Sequence, residues 1–261
     1  MINFFRKTRK KLADNNQFLK YSRYAIGEIV LVMVGILLAL QINNWNEERK
    51  NKILEIQILN QLKTEYEDNL IQINQKIRLR ELIISSCIRI LSNKEKLGEN
   101  SKNLDLELYN TIIRPTFDPS NGVINELINS GKLYLIRDIE LKRLLSGWVG
   151  SVNELKEEEK VMFDFVTDYY YPFLIKYYQV GNISLSGSEK SELNDLTKLS
   201  NLEYKLDNLF TKGNSLELVA NPDFEDCISH IIFQSKHTND QSQEIKIYME
   251  QIIDLINKEL D

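Results

Sequence analysis

The sequence runs to 261 residues with a net charge of −5, long enough for one large domain or two small ones with a sizeable core. Four prolines and ten glycines are too few for turn-rich sheet, and the abundance of Leu, Ile, Glu, Lys and Asn predicts an all-α fold of long helices. Seven basic groups (Arg6, Lys7, Arg9, Lys10, Lys11, Lys20 and Arg23) against Asp14 give residues 1–23 a charge of +6 and leave −11 on the remainder. The chain therefore has a basic tail, not a basic domain, and no nucleic-acid partner is expected.

The tail runs directly into YAIGEIVLVMVGILLALQI, residues 24–42, whose only charge is Glu28. As a helix these residues span roughly 28 Å, close to the hydrocarbon thickness of a bilayer. The strictly uninterrupted apolar run, Ile29 to Leu40, also has the length of a cleaved signal peptide's apolar region. Cleavage needs small residues one and three positions before the cut, and the pair Leu37 and Ala39 offers a bulky Leu there. A retained signal anchor is the reading, with Trp45 suited to the interface and a polar run (Asn43, Asn44, Asn46, Glu47, Glu48) following it. The excess of Lys and Arg before the span predicts a cytoplasmic N-terminus and an exported remainder, which in a bacterium is periplasmic.

The stretch from Phe4 to Lys50, with FFRKTRKKL and KYSRYAIGEIVLVMVGILLALQINNWNEERK, closely resembles the N-terminal signature of a family of uncharacterised single-pass membrane proteins of Bacteroidota-type bacteria. The resemblance continues more weakly through NGVINELINSGKLYLIRDIELKRLLSGW, residues 121–148. It implies membrane placement, and with a retained signal anchor the expected location is the bacterial inner membrane. Being a resemblance to a family of unknown function, it carries over no catalytic residues.

Glu28 lies inside the span, where an ionisable side chain costs about 3 kcal/mol at the centre. At 100° per residue Glu28, Val32, Gly35, Ala39 and Ile42 share one stripe, and Gly35 with Ala39 is a small-xxx-small pair. Two readings stand: a face that packs on a second copy or a partner helix, and a lipid-facing helix whose Glu28 reaches the interface or pairs with Arg23 or Lys20.

Beyond the anchor no Pro occurs before Pro115 and no Gly before Gly98, while Ile58, Leu62, Tyr66, Leu70, Ile73, Ile77, Ile84, Ile88 and Leu91 recur at helical spacing. A membrane-proximal helix over residues 43–96 is predicted. Asn69, Asn74 and Arg80 break any heptad register, so the helix is expected to pack within the chain and not in an extended coiled coil.

Residues 97–261 are predicted to form an exported helical bundle with that helix. GENSKN (98–103) reads as a loop and 104–113 as a helix that RPTFDPSNG breaks at Pro115 and Pro119. Ser120 or Asn121 caps GVINELINS, Gly131 ends it, and Asp138 caps a long helix that Pro172 bends or stops. Asp118, Ser120 and Asn121 lack the repeated acids of a calcium loop and read as a turn with a helix cap. The aromatic run DYYYPFLIKYY (168–178) reads as core and interface material, with stacking of sugars or peptides as the alternative.

Residues 181–200 read as a loop with a short helix from Ser188 to Leu196, and Ser200 with Glu203 as a capping box. Asn221 and Pro222 open a final amphipathic helix reaching Leu260.

No motif carries chemistry. His230 and His237 are seven apart and lack HExxH or a Cys cluster, and GxSxG, a P-loop and GxGxxG are all absent. EEEK (157–160) reads as helical surface charge. No cofactor or metal is expected, and no enzyme. Cys87 and Cys227 each lie on or beside an apolar stripe, either as two buried free thiols or as a disulfide joining the first and last helices. The favoured function is a membrane-anchored interaction or scaffold protein of the cell envelope, with the lipid bilayer and a second copy or another envelope protein as partners. The alternative is a ligand-sensing exported domain, and the short tail then requires a partner to relay the signal.

Overall fold

The structure, a computed structural model, describes residues 18–190 and 213–261. Every regular element among them is helical. In chain order these are α1 (Phe18–Ser92), α2 (Lys94–Glu99), α3 (Ser101–Thr111), α4 (Gly122–Asn129), a 3-10 turn (Lys132–Leu135) and α5 (Ile139–Asp164). A π turn (Phe165–Tyr170), α6 (Tyr171–Tyr177), α7 (Val180–Lys190), α8 (Ser215–Ala220) and α9 (Pro222–Leu260) follow. The all-α expectation holds for these residues, and the chain divides into two compact units, Met1–Gln57 and Ile58–Asp261.

In the first unit α1 presents an apolar cylinder. Twelve large apolar side chains between Ile26 and Ile42 are each 48–72% exposed. Leaving such a surface in water costs on the order of 10 kcal/mol. Among the described residues this is the one helix long and apolar enough to cross a membrane.

The second unit is an up-down-up-down bundle of four passes. Contacts between the first and second passes run antiparallel: Arg89 with Glu107, Ser86 with Asn110, Arg80 with Pro115, Gln72 with Asp118, Asn69 with Ser120 and Glu65 with Val123. The third pass is α5, the π turn and α6. The fourth is α9, antiparallel to α5 through Tyr248 on Leu144 and Gln234 on Glu158. Two apolar clusters fill the interior. One joins Leu59–Ile77, Phe117, Ile124 and Leu127, Leu141–Leu155 and Ile245–Ile256 around Trp148, whose ring meets Tyr66 edge-on at 5.1 Å. The other joins Ile83–Ile90, Leu104 and Leu108, Met162–Tyr178 and Phe224–Ile231.

Several local expectations are met. Asp138 caps α5 by accepting from Leu141 N at 2.6 Å, and Asn221 with Pro222 opens α9. Gly131, at φ 67°, follows the end of α4.

Others are corrected. The expected loop 98–103 is the junction of two helices, and its Gly98 is a close-approach residue and not a turn: a Cβ there would sit 2.9 Å from Leu216 of α8. Residues 181–190 are helical and not a loop. Gly187 lets α7 lie against the Tyr109 ring, which a Cβ would meet at 2.0 Å. Pro172 does not stop the third pass. It cannot donate an amide hydrogen, and the helix widens to a π turn just before it, where Tyr171 N donates to Val166 O. The expected helix from Ser188 to Leu196 lies largely, and the Ser200–Glu203 capping box wholly, outside the described residues.

Candidate functional site

Pro115 and Pro119 open a gap in the second pass, and backbone groups in a gap need partners from elsewhere. Helix α1 supplies them. The Asn69 amide clasps Ser120, donating to its carbonyl and accepting from its N–H, both at 2.8 Å. Gln72 does the same for Asp118, at 3.0 and 2.8 Å. The Glu65 carboxylate accepts from Val123 N at 2.9 Å, Ile124 N at 3.4 Å and the Ser120 hydroxyl at 3.2 Å. Glu65 thus serves as an anionic cap for α4 from another helix, where the helix dipole favours negative charge. From Glu65 to Arg80, α1 rises roughly 22 Å. The second pass covers that distance in only the residues from Pro115 to Val123 because it is extended over most of them.

Asn121 stands at the N-cap of α4 as expected, but its side chain does not cap. Its amide oxygen accepts from Trp148 Nε1 at 2.7 Å, and Glu65 does the capping.

Between the two apolar clusters lies a polar layer to which all four passes contribute. Arg80 donates to Ser242 Oγ at 2.8 Å, to Asn239 Oδ1 and Pro115 O at 3.4 Å, and to the carboxylate of Glu159. Glu159 also accepts from Phe117 N at 2.9 and 3.1 Å. The Arg80 and Glu159 side chains are each 3% exposed. Burial raises the Glu159 carboxyl and lowers the Arg80 guanidinium, while their mutual attraction, and for Glu159 the Phe117 N–H, oppose both shifts. The cavity beside the pair is about 10 Å³, the room of about one water.

Sequence reading missed this layer. EEEK was expected to be surface charge, and Glu159 is the member that is buried. A signal existed: Glu159 continues the core stripe Trp148, Val152, Leu155, Met162, Val166, and Ser235, Thr238 and Ser242 interrupt the stripe of α9 at core spacing. Asn69 and Arg80 were legible only as breaks in a heptad.

A surface groove of about 280 Å³ lies between the π turn and the start of α9, lined by Phe165, Tyr169, Asp223, Asp226, Cys227 and His230. Phe165 stacks on Tyr169 at 5.7 Å and meets the His230 ring at 4.2 Å. His237 stands apart from His230, with its Nε2 3.5 Å from Glu158. Among the described residues no group of three His, Cys, Asp or Glu is placed to hold a metal.

Cys87 and Cys227 are both buried in the second apolar cluster and are free thiols in this structure. Burial pushes the Cys87 thiol up to about 12 and the Cys227 thiol up to about 11. The aromatic run 168–178 divides: Tyr170, Phe173, Leu174 and Tyr178 are core, while Tyr169, Ile175 and Tyr177 are exposed. Glu28, Val32, Gly35, Ala39 and Ile42 share a face of α1 in the first unit, where Val32 and Ile42 are exposed and a Cβ on Gly35 would meet nothing within 4 Å.

No curated protein and no solved structure matches the chain. Residues 28–142, which hold most of the apolar stretch, the ladder of α1 and the segment it clasps, match the profile of a family of unknown function (DUF6090).

Proposed function

We propose that the chain is a membrane-anchored helical interaction module of the bacterial cell envelope. In this reading residues 24–42 cross the inner membrane, the basic tail 1–23 stays in the cytoplasm and the bundle is periplasmic. The exposed apolar cylinder from Ile26 to Ile42 carries it, since a bilayer is the solvent in which that surface is stable. The +6 tail sets the direction. The role is binding, not catalysis, and the face bearing Glu28, Gly35 and Ala39 is one contact surface, for a second copy or for a partner's helix.

Reporters that work only outside or only inside the cytoplasm, fused after Asp261, test the topology. Activity of the external reporter alone is expected, and activity of the internal one alone overturns the reading. Crosslinking of the intact protein in its native membrane tests the role: a discrete protein adduct is expected, and a chain that stays monomeric and adduct-free overturns it.

Ligand sensing by the exported bundle is the second reading. The groove beside the π turn favours it, since π turns within α-helices recur at functional sites.

A further inference from the structure

We infer that the groove between the π turn and α9 is a binding site for a small organic cation, an ammonium or guanidinium group on an apolar stem. The inference rests on the sensing reading and names its ligand class. It does not touch the anchoring reading, whose tests involve no groove residue.

The walls supply the apolar part. In an α-helix Phe165 and Tyr169 would be successive members of one stripe leading directly to Pro172. Both lie in the π turn, where the two rings stack at 29° with centroids 5.7 Å apart and Tyr169 stays 53% exposed. Phe165 is held by a second contact, the His230 ring at 4.2 Å. The Cys227 side chain, 2% exposed, forms the apolar floor. A groove of about 280 Å³ admits a single ring or a short alkyl chain.

The rim selects the charge. Asp223, Asp226 and His230 recur at i, i+3 and i+7 on α9 and so share the side of that helix lining the groove. Of the neighbouring acids, Glu225 pairs with Lys94 and Asp164 with Lys160, while Asp168 of the π turn adds a further negative charge beside Tyr169. Lys176, which lies over the Tyr177 ring at 4.7 Å, is the basic group that senses Asp223. Among the described residues Asp226 has no ion-pair partner and no Lys or Arg lines the groove. An anionic rim above an exposed aromatic face attracts a cation twice, through the carboxylates and through the ring quadrupole. A bare metal ion fits poorly, because the donors do not converge on one point.

The test uses the full-length protein in nanodiscs and three probes of nearly one shape: phenethylammonium, neutral 2-phenylethanol and anionic phenylacetate. Calorimetric titration is expected to give saturable, one-to-one binding of the ammonium only, weakened at least tenfold by Asp226→Asn and by Tyr169→Ala. Both side chains are exposed, so circular dichroism is expected to match the parent. Absence of saturable ammonium binding overturns the assignment. Equal binding of the alcohol removes the charge selection and overturns it too, and unchanged binding by both variants places the site elsewhere. Displacement of the ammonium by millimolar calcium would replace the organic cation with a metal and likewise overturn the proposal.

Discussion

The guanidinium of Arg80 and the carboxylate of Glu159 meet inside the bundle, each 3% exposed, at the level where an apolar cluster gives way to the other. Removing one member of such a pair leaves an uncompensated buried charge, at a cost of about 3–5 kcal/mol, whereas replacing both with apolar groups is often neutral or better. Arg80→Met and Glu159→Leu are each expected to lower the unfolding temperature sharply, and the double variant to recover most of the loss. Thermal unfolding of the full-length protein, followed by circular dichroism, checks this. A double variant as unstable as the worse single one would mean that the bonds to Phe117 N and Ser242, not the charge pairing, dominate.

Glu65 caps α4 from a distance of more than fifty residues in sequence. Glu65→Ala leaves two helix-start amides without their acceptor, for a cost of about 1–3 kcal/mol. Glu65→Gln, which keeps an acceptor oxygen but loses the charge, is expected to cost less. Hydrogen exchange at Val123 and Ile124 should accelerate strongly in the first variant and modestly in the second. Unchanged exchange in both would show that α4 holds its own end.

Tyr66 is fully buried against Trp148, and its hydroxyl has no hydrogen-bond partner among the described residues. Burial raises its pKa, so the hydroxyl stays neutral, and it carries a desolvation cost without compensation. Tyr66→Phe keeps the ring contact and removes the orphan, for an expected gain of about 1 kcal/mol. A drop in unfolding temperature would reveal a partner for the hydroxyl.

Asp105 accepts from the Tyr178 hydroxyl at 2.7 Å, and both are buried. Burial raises the Asp105 carboxyl above its ordinary value, against the lowering effect of that hydrogen bond. A raised folded-state pKa means that the folded protein holds its proton more tightly than the unfolded chain. The stability this group contributes is therefore present in full below the unfolded value of about 3.9 and is lost as pH rises through the folded value. Asp105→Asn cannot titrate. The unfolding temperature of the variant minus that of the parent should be largest near pH 8 and shrink as pH falls toward 4. A difference that grows on acidification would place the carboxyl below its ordinary value.

Gly35 leaves open space on the apolar stretch of α1, and Glu28 and Ala39 share its face. If that face packs on another helix, Gly35→Leu should reduce association of the protein in a membrane two-hybrid assay several-fold, Leu37→Ala should do little, and Glu28→Gln should be tolerated better than Glu28→Leu. Equal effects of the changes at 35 and 37, or a parent that does not associate above a monomeric control, would leave a lipid-facing surface.

The features legible in the amino-acid order are those set by neighbours along the chain. Proline-free apolar periodicity marks α1, and the uninterrupted apolar run marks the candidate span. Asp138 before Ile139 and Asn221 before Pro222 mark helix starts. Each follows from local geometry: a missing amide hydrogen, a cap within reach, or a period of 3.6. Tertiary structure decided the rest. Glu157, Glu158 and Glu159 are chemically identical, and only the positions of Arg80 and Phe117 N make the third an interior residue. Glu65 takes the capping role that the position of Asn121 suggests, while the asparagine accepts from Trp148 instead. Gly98 and Gly187, loop signals by composition, sit in helices at points where another element presses too close for a side chain. Which polar group is buried depends on what lies across from it, and that is settled only when distant segments pack.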